Sequence, residues 1–192
     1  FRHAPLLDHY QKNVLPVSAD SLNRIYRQND LFRKLTNEEN EMLLQATNSP
    51  DITTAKKYLE GFWNKRKEKW DFCYEKLNYD VSKFRIYEEF YEQLEGTARY
   101  VEFQLMNSFR TLSPDKELQQ VDTFYTGNKH FKDFQLGQNK WLYETSRSAN
   151  YTYATGFNMA RLLDKLKRPY KDQLFSSGGG SLLNRLRPDP VP

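Results

Sequence analysis

The sequence predicts an all-α protein, an irregular multi-helix bundle with room for one short hairpin between residues 122 and 145. The 192 residues include only 8 Gly and 8 Pro, and helices form most readily where these two residues are scarce. Apolar residues recur at intervals of three and four, which is the period of a helix with one buried face. Aromatic side chains make up 15% of the chain, as is typical of a folded domain rather than a disordered one.

Capping residues and breaks in the pattern divide the chain into helices. Thr36 and Glu39 form a T-x-x-E sequence, which predicts a new helix beginning at residue 36. Ser49 and Ser113 each precede a proline, as at many helix starts. We expect helices over residues 2–13, 18–35, 36–48, 49–77, 81–111, 113–120, 148–167 and 182–186.

The predicted helix over residues 81–111 carries two neighbouring stripes. The first is apolar and is expected to face the core: Phe84, Tyr87, Tyr91, Leu94, Ala98, Val101 and Leu105. The second is charged: Glu88, Glu92, Glu95, Arg99 and Glu102. Carboxylates at the edge of a core are costly unless they are solvated, paired or bound to a cation. A solvated acidic flank and a functional row of carboxylates therefore both remain open.

Composition also bears on domain organisation. We expect one helical domain over residues 1–176, followed by a segment over 177–192 with a glycine-rich hinge, a short helical turn and an extended tail. Formal net charge is only +4, and the dense basic stretch of Lys65, Arg66, Lys67 and Lys69 is interpreted as a solvated helix face. Since a nucleic-acid binder usually concentrates its basic charge on one face, no nucleic-acid partner is expected.

Residue counts also limit the kinds of covalent, metal and membrane feature that this chain can have. Cys73 is the only cysteine, so no disulfide can form within the chain and no cysteine-based zinc site is expected. Apolar runs are too short for a transmembrane segment. The chain opens at Phe1 without a methionine, which suggests a processed or truncated product. Localisation stays open, with an extracytoplasmic site favoured if a signal peptide has been removed upstream.

Two motifs carry a resemblance to a known family. Residues 95–100 read Glu-Gly-Thr-Ala-Arg-Tyr, and residues 153–156 read Tyr-Ala-Thr-Gly. In this order and spacing they resemble the E-G-x-A-x-Y and Y-x-x-G motifs of gluzincin zinc metallopeptidases, the aminopeptidase-N-like group and related metal-dependent hydrolases. The likeness covers roughly residues 80–176. It departs from the family at Thr155, where the aminopeptidases usually carry lysine, and in lacking any H-E-x-x-H sequence.

The resemblance implies a role for three residues. Glu95 would be a zinc ligand, Tyr153 would stabilise the oxyanion formed during peptide hydrolysis, and Glu92 would support Glu95 from one turn away. The H-E-x-x-H helix is expected upstream of this chain, so the implied partners are that upstream part and a peptide or protein substrate. Zinc is then expected in the complete protein and only weakly, or not at all, in these 192 residues, which alone should be inactive. If the resemblance holds, the tips of Glu95 and Tyr153 should lie within about 10 Å of each other.

The alternative is a non-catalytic helical binding or scaffold module, either a degenerate relative of the peptidases or an unrelated protein. The missing histidine motif favours it. Weaker site candidates are the three histidines and the acids of the predicted helix start: His3, His9, His130, Glu38, Glu39 and Glu41. Asn150 begins an N-glycosylation sequence, Asn-Tyr-Thr, which would be used only in a secreted eukaryotic protein.

Overall fold

The computed structural model describes residues 19–125, 127–128, 131–147, 150–173 and 180–187, and it is all-α, as the sequence predicts. Within these residues there are seven α-helices and no strand. The helices are α1 Ala19–Gln28, α2 Asp30–Asn48, α3 Ile52–Glu75, α4 Val81–Thr111, α5 Lys116–Val121, α6 Tyr151–Lys165 and α7 Leu182–Arg185. Short 3-10 helices cover Leu136–Gln138, Lys140–Leu142, Thr145–Arg147 and Lys171–Gln173.

Side-chain caps set most of the helix starts. Asp51, Asp80, Asp115 and Asn150 each accept a hydrogen bond from a backbone N–H in the first turn of the helix that follows. The predicted start at Thr36 is wrong, because Asn29 caps α2 by accepting from the Phe32 N–H at 2.9 Å. Thr36 lies in the middle of α2, where its hydroxyl donates to the Phe32 carbonyl at 2.8 Å. Glu39 is therefore an interior residue of a helix and not part of a capping box.

The possible hairpin does not form among the described residues of the 122–145 segment, which consist of turns and 3-10 helices. Asp122 closes one of these turns by accepting from the Phe124 N–H at 2.9 Å. The predicted turn at 182–186 is confirmed as α7. The predicted helix at 2–13 and the tail at 188–192 lie outside the described residues, as does the predicted hinge except for Gly180. In the described part of the chain, no helix is both long enough and apolar enough to cross a bilayer.

Four long helices form the body of the domain. Helices α2 and α3 are joined by three residues and run antiparallel, with Glu38 beside Lys65 and Met42 against Gly61. Helix α6 lies between α2 and α4 and is the central helix, since eleven of its 15 residues are buried. The short α7 packs on the same core: Leu182, Leu183 and Leu186 are buried, and the Trp63 indole donates to the Leu186 carbonyl at 3.2 Å.

The apolar stripe of α4 faces the core over only its first half. Phe84 and Tyr87 are buried as expected, whereas Val101 and Leu105 are 54% and 50% exposed. The prediction for the second half is wrong because α4 has 31 residues and its neighbour α6 has 15, so the C-terminal part of α4 extends past its partner. On the side facing α3 and α6, α4 buries the charged stripe instead, including Glu88, Glu92 and Arg99.

Glycines define the point where α4 and α6 meet. A Cβ placed on Gly96 would lie 2.4 Å from the Gly156 backbone, and one placed on Gly156 would lie 2.0 Å from the Glu92 carbonyl oxygen. These distances are far below van der Waals contact, so the two backbones touch directly and only glycine fits at either position. The two motif glycines therefore make one and the same helix–helix contact.

This contact predicts that Gly96→Ala and Gly156→Ala each destabilise the fold by roughly 2–4 kcal/mol, even though alanine gains about 1 kcal/mol of helix propensity. Gly61→Ala is the matched control, since its Cβ would meet only the flexible Met42 side chain, with the sulfur 2.9 Å away. Urea unfolding would measure all three. Wild-type stability in Gly96→Ala would show that the backbones do not approach so closely.

Candidate functional site

The crossing of α4 and α6 places Glu95 beside Tyr153. The Tyr153 hydroxyl lies close enough to the Glu95 carboxylate for that carboxylate to raise the pKa of Tyr153, and both side chains are partly exposed. The two groups thus lie well within the distance expected from the sequence. The glycine contact explains why, since Gly96 directly follows Glu95 and Gly156 lies one turn after Tyr153.

Arg99, one turn after Glu95, holds the other side of Tyr153. Its guanidinium carbon lies 4.7 Å from the centre of the Tyr153 ring and 5.2 Å from that of Trp141. The same guanidinium donates to the carbonyls of Trp141 at 2.6 Å and Leu142 at 3.3 Å. Arg99 therefore ties the 3-10 helix Lys140–Leu142 to the Tyr153 side chain.

The surroundings of Tyr153 keep its hydroxyl protonated. Burial raises the pKa of Tyr153, the adjacent Glu95 carboxylate raises it further and Arg99 opposes them, with a net pKa of about 12. At neutral pH the group is a hydrogen-bond donor held next to a carboxylate. An arrangement of this kind can donate to an electron-rich oxygen on a bound molecule.

Glu92 does not point to the same place. Its carboxylate is buried, receives two hydrogen bonds from Arg66 at 2.6 and 3.0 Å, and accepts from the Thr155 hydroxyl at 2.8 Å. Successive turns of α4 send Glu92 into the bundle and Glu95 toward the surface. The hydrogen bonds of Glu92 therefore go to the interior and not to Glu95, so any support that it gives to Glu95 passes through the helix backbone.

Glu92 belongs to a fully buried ionic network of five side chains from three helices. Arg66 lies at its centre, 3.0 Å from Glu39 through Nε, 3.1 Å from Glu88 and 2.6 Å from Glu92. The Nε contact to Glu39 has the distance of an ion pair but not the angle of a hydrogen bond. Lys69 bridges Glu39 and Glu88 at 2.6 Å each. We call these five residues the core network: Glu39, Arg66, Lys69, Glu88 and Glu92.

Neutral donors and rings complete the core network. Glu88 also accepts from the Tyr151 hydroxyl at 2.7 Å and the Trp70 indole at 3.1 Å. The Lys69 ammonium lies 5.4 Å from the centre of the Tyr151 ring, and the Arg66 guanidinium lies 5.1 Å from that of Phe62. A desolvated charge is tolerated only with partners of this number and quality.

The three carboxyl groups of the core network differ in pKa. Burial raises the pKa of Glu88, but the charges of Lys69 and Arg66 outweigh it and lower the pKa to about 2. Burial raises the pKa of Glu92 to about 7, because Arg66, which lowers it, is shared among three carboxylates and the negative charge of Glu88 raises it further. The pKa of Glu39 is raised for the same reasons. Three carboxylates face two cations, so a retained proton leaves the network neutral.

The carboxylates of the core network also have the spacing of a metal site, because oxygen atoms of Glu39, Glu88 and Glu92 lie within 4.8 Å of one another. The space between them holds the Arg66 guanidinium and the Lys69 ammonium, each within 2.6–3.1 Å of its carboxylates. A metal ion would have to displace both cations and leave them buried and unpaired. These residues therefore do not fit a metal, since their charges are already matched by side chains.

The interpretation of the basic stretch as a solvated face is wrong for two of its four residues. Arg66 and Lys69 are fully buried, whereas Lys65 and Lys67 lie at the surface and pair with Glu38 and Asp71. One sequence signal could have found them. Both fall on the apolar stripe of α3, between Phe62 and Cys73. Charged residues inside such a stripe indicate buried pairing.

The remaining candidates do not join a site. Glu38 lies in surface ion pairs with Lys65 and Lys34, and Glu41 accepts from Gln45. The side chain of Asn150 is buried and caps α6, so it is not presented for glycosylation. His3, His9 and His130 lie outside the described residues.

Comparison with known proteins adds no family. Scans of protein-family models, of curated proteins and of solved structures each return no match to this chain. The resemblance to the gluzincins therefore rests on the two sequence motifs alone.

The core network predicts that Arg66→Met destabilises the fold strongly, by roughly 3–5 kcal/mol, because it leaves three buried carboxylates with one cation. Lys67→Met, one residue along on the exposed side, is the control and should change the free energy of unfolding little. Urea unfolding at neutral pH measures both. Similar small effects in the two variants would contradict the burial of Arg66.

The raised pKa of Glu92 predicts a pH dependence. A carboxyl whose folded pKa is about 7, against a usual 4.5, takes up a proton on folding, so its stabilising contribution is complete below pH 4.5 and is lost as pH rises to 7. The expected loss is on the order of 3 kcal/mol. Glu92→Gln should flatten this decline, as followed by urea unfolding from pH 4.5 to 8. If the free energy of unfolding fell equally steeply with pH in wild type and variant, the decline would come from a group other than Glu92.

Proposed function

We propose that this chain is the helical C-terminal part of a zinc-dependent peptidase or related hydrolase, and that Glu95 and Tyr153 form part of its active site. One observation carries the proposal: the paired glycines of the two motifs touch, and this contact sets the Glu95 carboxylate against the Tyr153 hydroxyl. The two motifs are thus brought together at one helix crossing.

A second observation supports the proposal. Ala98, Val101 and Leu105 form an exposed apolar strip on α4 that begins one turn after Glu95. An exposed apolar surface of this kind marks a contact with another part of a protein or with a partner. A histidine-bearing helix from upstream would be held beside Glu95 if it covered this strip.

The described residues do not make a zinc site alone. Catalytic zinc needs three protein ligands and an open position, and Glu95 is the one candidate ligand that these residues place at Tyr153. The proposal therefore places the other ligands in the upstream part of the polypeptide. Bound there, zinc would supply Lewis-acid activation of a carbonyl and of water.

Tyr153 and Arg99 have their own roles in this proposal. The Tyr153 hydroxyl stays protonated at neutral pH and can donate a hydrogen bond to the oxygen of a substrate carbonyl as negative charge develops there. Arg99, fixed by two backbone carbonyls, holds the Tyr153 ring in place. Arg99 is thus a positioning residue rather than a catalytic one.

The second candidate function is a non-catalytic helical module that binds a partner protein. The apolar surface favours it, since exposed apolar side chains continue beyond Leu105 through Leu112, Leu118 and Val121. A partner helix covering this surface would need no metal.

Zinc binding separates the two functions. We expect the 192-residue chain to retain little zinc after dialysis, and the polypeptide extended by its natural upstream sequence to bind one equivalent and cleave peptides. In that longer polypeptide, Glu95→Gln should weaken zinc binding by about 10-fold or more, and Tyr153→Phe should lower kcat by roughly 10–1000-fold with zinc retained. Elemental analysis and peptide hydrolysis measure these effects.

Matched controls use exposed residues of the same types. Glu102→Gln, on the same helix, and Tyr74→Phe, on α3, should leave zinc content and activity unchanged. An upstream sequence without the two histidines, or zinc binding that is indifferent to Glu95→Gln, would reject the peptidase proposal. Stoichiometric zinc in the 192 residues alone would point instead to His3, His9 or Glu38 as overlooked ligands.

A further inference from the structure

A small cavity lies away from Glu95 and Tyr153, between α2, α6 and the turns that follow residue 135. Its volume is about 210 Å³. Its walls combine aliphatic, amide, phenol and guanidinium groups: Leu44, Asn48, Leu136, Gly137, Tyr143 and Arg161. Drug-sized ligands occupy cavities of roughly 300–1000 Å³, so this one suits a molecule of a few heavy atoms.

Arg161 brings an incompletely paired positive charge to this cavity. Its guanidinium donates to Asn158 at 3.3 Å and lies 5.5 Å from the centre of the Phe157 ring. A guanidinium has five N–H donors, so most of its donors are left for other partners. In the part of the chain that the structure describes, no carboxylate lies within ion-pair distance of Arg161.

Neighbouring acids are already engaged elsewhere. Asp164, one turn later on α6, pairs with Lys171 at 2.9 Å and accepts from the Tyr100 hydroxyl. Glu144, which follows Tyr143, pairs with Lys140 at 3.2 Å and Arg147 at 3.4 Å. Arg161 is partly buried, and the desolvation lowers its pKa.

We infer that this cavity binds the carboxylate of a small aliphatic acid or of a peptide's C-terminal residue, with Arg161 as the anion-binding group. Arg161 donates two parallel hydrogen bonds to the carboxylate, the geometry that a guanidinium prefers. Leu44 and Leu136 contact the aliphatic part of the ligand, and the Asn48 amide lies at the same wall. This site is independent of the proposed peptidase function.

A monocarboxylate fits better than a phosphate. The next cation along α6, Lys165, donates to the carbonyls of Thr47 at 2.9 Å and of Ser49, so it is held at the C-terminal end of α2. Arg161 is then the cation that lines the cavity. A single guanidinium balances one negative charge, and the leucines of the wall favour an apolar chain over a second charged oxygen.

Nuclear magnetic resonance of the ¹⁵N-labelled 192-residue chain tests this site. The probes are 4-methylpentanoate and N-acetyl-Gly-Gly-Leu, each compared with its uncharged amide. We expect both acids to shift the Arg161 Nε–H resonance and the amides of residues 136–143, with Kd on the order of millimolar for ligands this small. The uncharged amides should bind about 10-fold more weakly or not at all.

Variants assign the effect to Arg161. Arg161→Gln should weaken acid binding about 10-fold or more, whereas Arg110→Gln, at an exposed arginine in the last turn of α4, should leave it unchanged. Unfolding curves check that both variants fold, and the Arg161 Nε–H shift in wild type provides evidence that does not need a variant.

The outcomes are distinct. Tighter binding of N-acetyl-Gly-Gly-Leu than of 4-methylpentanoate would identify the ligand as a peptide C-terminus, and the reverse order would identify a free small acid. Equal binding of acids and amides, an unshifted Arg161 resonance, or unchanged affinity in a folded Arg161→Gln variant would overturn the inference. None of these results depends on zinc or on hydrolysis, so they test the carboxylate site independently of the proposed peptidase function.

Discussion

The core network is the interaction on which the rest of this fold depends. Glu39 comes from α2, Arg66 and Lys69 from α3, and Glu88 and Glu92 from α4, while Tyr151 and Thr155 of α6 donate to two of the carboxylates. A shift of one residue along any helix rotates its side chains by about 100° and would leave buried charges unpaired. Apolar side chains could repack after such a shift, but these charges could not, so the network fixes the relative register of four helices.

The core network also fixes the relative position of Glu95 and Tyr153 at the surface. Glu92 is bonded to Arg66 on one side and to Thr155 on the other, and Thr155 immediately precedes the glycine that touches Gly96. Buried bonds therefore fix α4 against α6 within one turn of the exposed pair. Thr155 suits this arrangement because its hydroxyl donates to Glu92 without charge. A lysine at this position would bring a third cation to the network.

The sequence predicted the helices better than their surroundings. Asp51 and Asp80 cap α3 and α4 close to the expected starts, because capping is a local interaction between residues a few positions apart. Which face of α4 is covered depends on a distant part of the chain, namely on where α6 ends. The sequence therefore predicts a core position for Val101 and Leu105, which are exposed, and does not decide the burial of Glu88 and Glu92. The proximity of Glu95 and Tyr153 was expected only from the resemblance, and their proposed roles stay a prediction. Arg99 and its carbonyl partners could not be predicted, because they join residues more than forty positions apart.

Three arginines of this protein differ in how many partners each guanidinium has, and this difference distinguishes a structural arginine from one that can bind a ligand. Arg66 is fully buried and has three carboxylates, so it stabilises the native register and has no capacity for a ligand. Among the described residues no carboxylate lies within ion-pair distance of Arg99, and two carbonyls and two aromatic rings occupy its guanidinium. Arg161 has one amide oxygen and one ring, and it lines a cavity. Burial of the charge costs free energy in all three arginines, so the arginine with the fewest partners is stabilised most by a bound anion. Arg161 has the most N–H donors without a partner, and a carboxylate therefore binds there.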